Sequence, residues 1–406
     1  MKKSNFNHKY SSVFVIFWLV CIVVGHGQGF RQSPLDSLYT HYERSISNKT
    51  LAGVEALLIL NDRVVWHQVQ GLADVAAKTP LQTNSIYYIQ SMTKPIISVA
   101  IMQLVERGLL ALDDPIEIYI PEAKGLLVAK NPDLGLDSPT RKVNRSLTIL
   151  DLLTHTSGLS HGLGESKLDQ QLFKALYDET LNYRSHNSLE DRVTTLLSFP
   201  LVAQPGTEWY YSAGADILAL ILQRVSKQSI PTYLKTNIFE PLDMHDTGYN
   251  LNELQSRRVM KLHSRNERNT VKRHEQQVPT SGNTIYGGTH GLFSTASDYA
   301  QFCLMILHNG TWNGAQILKS DTVKNIRTNH TADLYNEEGA GFGLGFSVIS
   351  IPEKMNRPGG VGQLQWGGYF STHFFIDPEI KAIGIILTQQ MPGGEDINTP
   401  FQVNRS

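Results

Sequence analysis

Ser91 and Lys94 stand three residues apart in the stretch YYIQSMTKPIISVAIMQLVERG, where a polar segment gives way to a long apolar run. Residues three apart on a helix share a face, with Cβ atoms about 5 to 6 Å apart, so the Lys94 amine can reach the Ser91 hydroxyl. Desolvation lowers a lysine pKa and lets the amine accept the serine proton. A serine at a helix N-terminus also faces unpaired backbone N–H groups, which favour the oxyanion of an acyl-transfer intermediate. The pattern therefore supplies a nucleophile and its activator from one turn of helix. Roughly one or two Ser-x-x-Lys matches arise by chance in a chain of ~400 residues, and the match at Ser91 is the only one here.

Two further stretches can carry chemistry. In QPGTEWYYSAGADILALILQRVS, Pro205, Gly206 and Thr207 form a turn, Tyr210 and Tyr211 follow, and a helix is expected from about Ser212. A phenol beside a lysine can relay a proton or act as a general base; paired tyrosines before a helix can equally be packed aromatics. In QWGGYFSTHFFIDP, Trp366, Gly367 and Gly368 stand where a strand is expected to begin. Glycines there admit a ligand close to the backbone, and the Tyr369 N–H can donate to an oxyanion; the alternative is a strand-end kink.

Other polar residues read as structural. His155 in THTSG is expected to be a hydrogen-bonded turn residue, and Asp298 a helix cap or first-turn acid. The segment GAGFGLGFSV lacks the lysine and following helix of a phosphate loop and reads as a glycine-rich strand. The 14 histidines show no metal-ligand spacing, so no metal and no cofactor is expected.

Positioning these groups requires a scaffold, and its elements are visible in the hydrophobic pattern. SPLDSLYTHYERSI has helical spacing, and VEALLILNDRVVWHQVQGLAD reads as a hairpin turning at Asn61-Asp62. A helix from about Thr93 to Arg107 repeats apolar residues at Ile97, Ile101, Leu104 and Val105 on an inner face, and Gly108 ends it. From about 109 to 285 short helices alternate with Pro, Gly, Asn and Asp clusters; the polar stretch HSRNERNTVKRHEQQVPTSGNT is expected to be an exposed loop. The end of the chain reads as two strands joined at Asp377-Pro378. Strands at both ends with helices between predict one sheet built from the two termini and a mostly helical inserted region.

Composition narrows the function class. With 41% hydrophobic and 18% charged residues the chain can bury a site in a large core. A formal net charge of −1 gives no footprint for nucleic acid or anionic lipid. Residues 1–27 combine Lys2, Lys3 and Lys9, an apolar run and a small-residue exit, and read as a secretory signal preceding a single domain over 28–406. An uncleaved anchor is the alternative, although the run of about 12 residues is short of the ~20 a span needs. Export would make the protein secreted or periplasmic. Cys21 belongs to that segment, which leaves Cys303 alone as a buried small hydrophobe.

With Ser91-Met-Thr-Lys94, Tyr211-Ser212 and Trp366-Gly367-Gly368 in this order, the chain resembles the serine β-lactamase-like superfamily. It looks closest to the branch holding class C β-lactamases, D-Ala-D-Ala carboxypeptidases and family VIII carboxylesterases. LTHTSGL, PGTEW, GGTHGLFSTASDYAQF and LTQQMPG agree, and the likeness runs from about Leu35 to Gly394. It implies an α/β fold of the β-lactamase and penicillin-binding-protein type, an antiparallel sheet flanked by helices. It also implies an acylated Ser91, Lys94 as its activator, Tyr211 as relay, and an oxyanion hole from the Ser91 and Tyr369 N–H groups. Two departures bear on substrate. Class C enzymes have an asparagine where this chain has Ala213 and a Lys-Thr-Gly where it has Trp366-Gly367-Gly368, so the cation that pairs a lactam or peptide carboxylate is missing. A carboxylesterase acting on small esters is therefore expected. A weak β-lactamase or D-amino-acid peptidase, acting on a small amide, is the first alternative. A catalytically silent scaffold or binding protein of the same fold is the second.

Overall fold

The computed structural model describes residues 32–177, 186–355 and 359–391. The expected export segment, 1–27, lies outside them, as does everything after 391.

The strands at the two ends of the chain meet in one eight-stranded sheet. The first part supplies β1 (Gly53–Leu60), β2 (Arg63–Asp74) and the short β3 (Thr79–Pro80). The last part supplies β4 (Ala340–Phe342), β5 (Ser347–Ile349), β6 (Leu364–Gly368), β7 (Thr372–Asp377) and β8 (Ala382–Leu387). Their order is β4-β5-β6-β7-β8-β1-β2-β3, antiparallel throughout. The seam between the termini is β1 against β8, with Leu57 opposite Ile385. Asn61 and Asp62 turn the β1–β2 hairpin with φ of 48° and 65°. Positive φ at both loop residues matches the right-handed twist of the strands, which explains the Asn-Asp choice.

Alternation along β1 decides what covers each face. Val54, Ala56 and Leu58 pack against Leu35, Leu38 and Tyr42 of α1 (Gln32–Ser47), together with Phe375 and Ile386. Leu57 and Ile59 point the other way, into the main core. That core is threaded by α2 (Thr93–Glu106), in which every residue from Thr93 to Leu104 is buried. The apolar spacing alone predicts a single inner face for α2. It is enclosed within the main core, with α5 (Gly214–Ser226) packed along it, as befits a helix apolar nearly all round. Gly108, at φ 66°, ends the segment where expected.

Between the two parts of the sheet most of the regular elements are helices. They include α3 (Lys167–Tyr177), α4 (Leu189–Leu197) and α5, followed by α6 (Ala296–Leu307). The same stretch also holds two-stranded ribbons, Leu127–Ala129 with Thr140–Lys142 and His263–Arg265 with Val271–Arg273. The second ribbon corrects the expectation of an exposed loop in part, since residues 266–269 are exposed as expected while the strands on either side are paired. His263 is fully buried, its N–H donates to the Gln389 carbonyl at 2.8 Å, and its Nε2 accepts from the Val75 N–H at 3.3 Å. Polar side chains on the outer face concealed a backbone tied to the sheet. Cys303 is a free thiol on α6, buried as expected. Asp298 sits in the first turn of α6, where its N–H is capped by the Thr295 hydroxyl at 3.0 Å. Among the described residues no helix is long and apolar enough to cross a membrane.

Candidate active site

Ser91 lies in a single 3₁₀ turn, Gln90–Met92, that runs directly into α2. The turn is held from several sides. Tyr87 and Tyr88 pair with Ser294 and Phe293, the Ile89 N–H donates to the Leu292 carbonyl at 3.0 Å, and the Tyr299 hydroxyl donates to the Met92 carbonyl at 3.0 Å. Gln90, immediately before the serine, has φ of 50°, a conformation costly for a residue with a Cβ. Such strain persists only where the surroundings over-determine it, and here it leaves the half-buried Ser91 hydroxyl turned toward Lys94 and Tyr211.

Three of the singled-out side chains meet. Lys94 Nζ is 3.2 Å from Ser91 Oγ and 2.7 Å from Tyr211 Oη, and Tyr211 Oη is 2.8 Å from Ser91 Oγ. The amine also donates to the Thr289 carbonyl at 2.9 Å. Burial lowers the Lys94 pKa to about 7; nearby Asp216 opposes this and Arg192 adds to it. Close to neutrality the amine is thus available as a proton acceptor within reach of the serine and the phenol. The adjacent tyrosines have separate tasks, for Tyr210 donates to Asp169 at 2.8 Å, away from the triangle. The helix after them begins at Gly214, with the buried Ala213 as its N-cap.

Trp366, Gly367 and Gly368 close β6 rather than open a strand, and Tyr369 follows in the turn to β7. Gly367 and Gly368 pair with His373 and Thr372. A Cβ on Gly368 would strike the Ile89 carbonyl and the Thr372 hydroxyl, so the glycine is what lets the strand end lie against the Gln90–Met92 turn. Gly368→Ala is expected to displace β6 from Ser91, lowering kcat about tenfold or more and stability by about 1–3 kcal/mol. Thermal unfolding and ester kinetics on the purified variant check this. The Trp366 ring stands 5.6 Å from that of Tyr211 and stacks on His155 at 6.3 Å, filling space beside the reactive groups with an indole rather than a cation. The Tyr369 side chain packs on Phe370 at 5.8 Å.

His155 is a buried turn residue with φ of 57°, its Nδ1 3.0 Å from the Ser212 hydroxyl. Burial first, and the Lys94 charge second, hold its pKa well below the ordinary value, and the same two causes act on His161. The site is consequently lined by neutral imidazoles.

Behind the triangle lies a layer of residues that no sequence motif marks. Asp216 in the first turn of α5 accepts from Arg192 Nε of α4 at 2.6 Å and from the Thr289 N–H at 2.8 Å. Both charged side chains are buried. Burial pulls the Asp216 carboxyl up, but Arg192, His290 and the Thr289 N–H together outweigh it and bring its pKa down to about 2. One signal for this pair exists in the sequence. Leu189, Arg192, Val193 and Leu196 share one helical face, so a charge occupies a core position of α4.

A family model described as Beta-lactamase matches residues 38–404. Protein Rv1367c of Mycobacterium tuberculosis is 30% identical over 356 residues, covering 84% of this chain and 86% of its own length. Esterase EstB of Burkholderia gladioli is 25% identical over 370 residues, covering 86% and 88%. Among solved structures, EstCE1, a hydrolase with promiscuous acyltransferase activity, superposes with a TM-score of 0.74 at 21% identity, over 92% of this chain and 97% of its own. By the extent of that family match, and with the sheet and helices that the resemblance implied, this chain belongs to the Beta-lactamase family, whose fold serves hydrolases and acyltransferases.

Proposed function

We propose that the protein hydrolyses small carboxylic esters through an acyl-enzyme at Ser91. The observation that carries the reading is the triangle of Ser91, Lys94 and Tyr211, with an amine whose pKa falls to about 7 standing 3.2 Å from the hydroxyl. As Ser91 Oγ attacks the ester carbonyl, its proton passes to the coupled Lys94–Tyr211 pair. The developing oxyanion is met by the Ser91 and Tyr369 N–H groups. Collapse of the tetrahedral intermediate breaks the bond to the alkoxide, which takes the proton from the pair. Water, deprotonated by the same pair, then releases the acid and restores Ser91.

Substrate preference follows from what surrounds the triangle. Trp366 and Ala213 offer neither the cation nor the amide that would hold a carboxylate-bearing lactam or peptide, which favours an uncharged ester. The name of Esterase EstB points the same way. Purified protein is expected to turn over p-nitrophenyl butyrate at least ~10²-fold faster than nitrocefin, a gap of about 2.7 kcal/mol in transition-state binding. Faster nitrocefin turnover would favour the β-lactamase alternative, and a folded protein that cleaves neither would favour the scaffold.

A further inference from the structure

The buried pair behind the triangle touches no reacting atom, yet it is joined to Lys94 through a single residue, Thr289. Asp216 accepts from the Thr289 N–H at 2.8 Å, and the carbonyl of the same residue accepts from Lys94 Nζ at 2.9 Å. Thr289 is wholly buried, and its hydroxyl donates to the Ala213 carbonyl at 3.2 Å. Gly288 makes the approach possible, because a Cβ there would run into the Ala215 carbonyl at the start of α5. The segment carrying Thr289 is therefore laid on the first turn of α5, with Asp216 beneath it and Arg192 Nε fixing the carboxylate from α4 at 2.6 Å.

We propose that Asp216 is a positioning residue for the proton-accepting amine, anchoring Thr289 through its N–H so that the carbonyl of the same residue aims Lys94 Nζ at Ser91 and Tyr211, and setting the amine's charge balance jointly with Arg192. The proposal rests on the reading of Ser91 and Lys94 as the reactive pair. Two actions are separable. The hydrogen bond to Thr289 orients the amine, and asparagine at 216 retains an acceptor for it whereas alanine does not. The negative charge favours the protonated amine, and only an acidic side chain supplies it. The groups facing Lys94 are Asp216, Arg192, Tyr211 and the imidazoles of His155, His161 and His290. Burial keeps the imidazoles well below their ordinary pKa, that of His290 at about 3, so Asp216 and Arg192 are the fixed charges among these groups.

The test is the rate at which a fluorophosphonate labels Ser91 as a function of pH, read by intact mass and peptide mapping for the parent and three variants. Asp216→Asn is expected to move the acid limb down by roughly one pH unit with the plateau nearly kept, because loss of the carboxylate makes the amine easier to deprotonate. Asp216→Ala is expected to lower the plateau by about 10²-fold as well, since the Thr289 peptide is released and the amine loses its aim. The double variant Asp216→Asn with Arg192→Gln removes both charges and is expected to bring the limb back toward the parent's. It also avoids leaving Arg192 buried without the carboxylate, should the single variants fold poorly. A folded Asp216→Ala with the parent's limb and plateau overturns the proposal, as does a double variant whose limb moves as far as that of Asp216→Asn. A parent that labels at Ser91 while the variants behave in that way leaves the catalytic reading standing. A parent that takes no label at Ser91 overturns that reading and the proposal with it.

Discussion

Ser91→Ala is expected to lower kcat/KM for a small ester by at least ~10³-fold while leaving thermal unfolding within about 1 kcal/mol of the parent. The two halves of that result have separate causes. The hydroxyl is the atom on which the acyl group would be carried, so no neighbour can replace it. Its removal costs the fold little, because Tyr211 Oη keeps its partner at Lys94 Nζ, 2.7 Å away, and Ser91 is half-buried rather than part of the core. Kinetics with p-nitrophenyl butyrate alongside a melting curve measure both. Turnover equal to the parent's in the folded variant would sink the assignment of the nucleophile.

Lys94→Met should be nearly as severe, with about 10³-fold lower kcat/KM, since an apolar side chain of similar length fills the site but accepts no proton. The parent's pH profile carries the same information without a mutation. Burial depresses the Lys94 pKa from 10.5 to about 7, with Asp216 opposing and Arg192 assisting. Only the neutral amine can take the serine proton, so kcat/KM should rise as pH increases through about 7 and be lost below it. An acid limb near pH 10 would mean that the amine is not desolvated in solution. Retention of the limb in Lys94→Met would assign it to another group.

The reactive triangle and its supporting layer differ in how far they could be read from residues alone. Ser91 and Lys94 are legible because three-residue spacing on a helix is a local rule that folding does not rearrange. The β1–β2 hairpin and the strands at both ends are legible for a similar reason, as alternation and turn residues act over a few positions. Tyr211 needed the resemblance as well, for nothing within its own stretch distinguishes it from Tyr210. Asp216, Arg192 and Thr289 escaped because they are brought together from α4, α5 and a distant loop, and no periodicity connects them. The ribbon at His263–Arg265 escaped for another reason: short strands with polar outer faces have the composition of a loop. The glycines of Trp366-Gly367-Gly368 could be read as allowing close approach, but only the packed structure identifies the Ile89 carbonyl as what comes close to Gly368.

The most direct test of the central claim is the mass of the intact protein after brief exposure to a fluorophosphonate at pH 8, with the adduct mapped by peptide. One adduct per chain is expected, on Ser91, and none in Ser91→Ala. An adduct on another residue, or a folded parent that takes none, would contradict the claim.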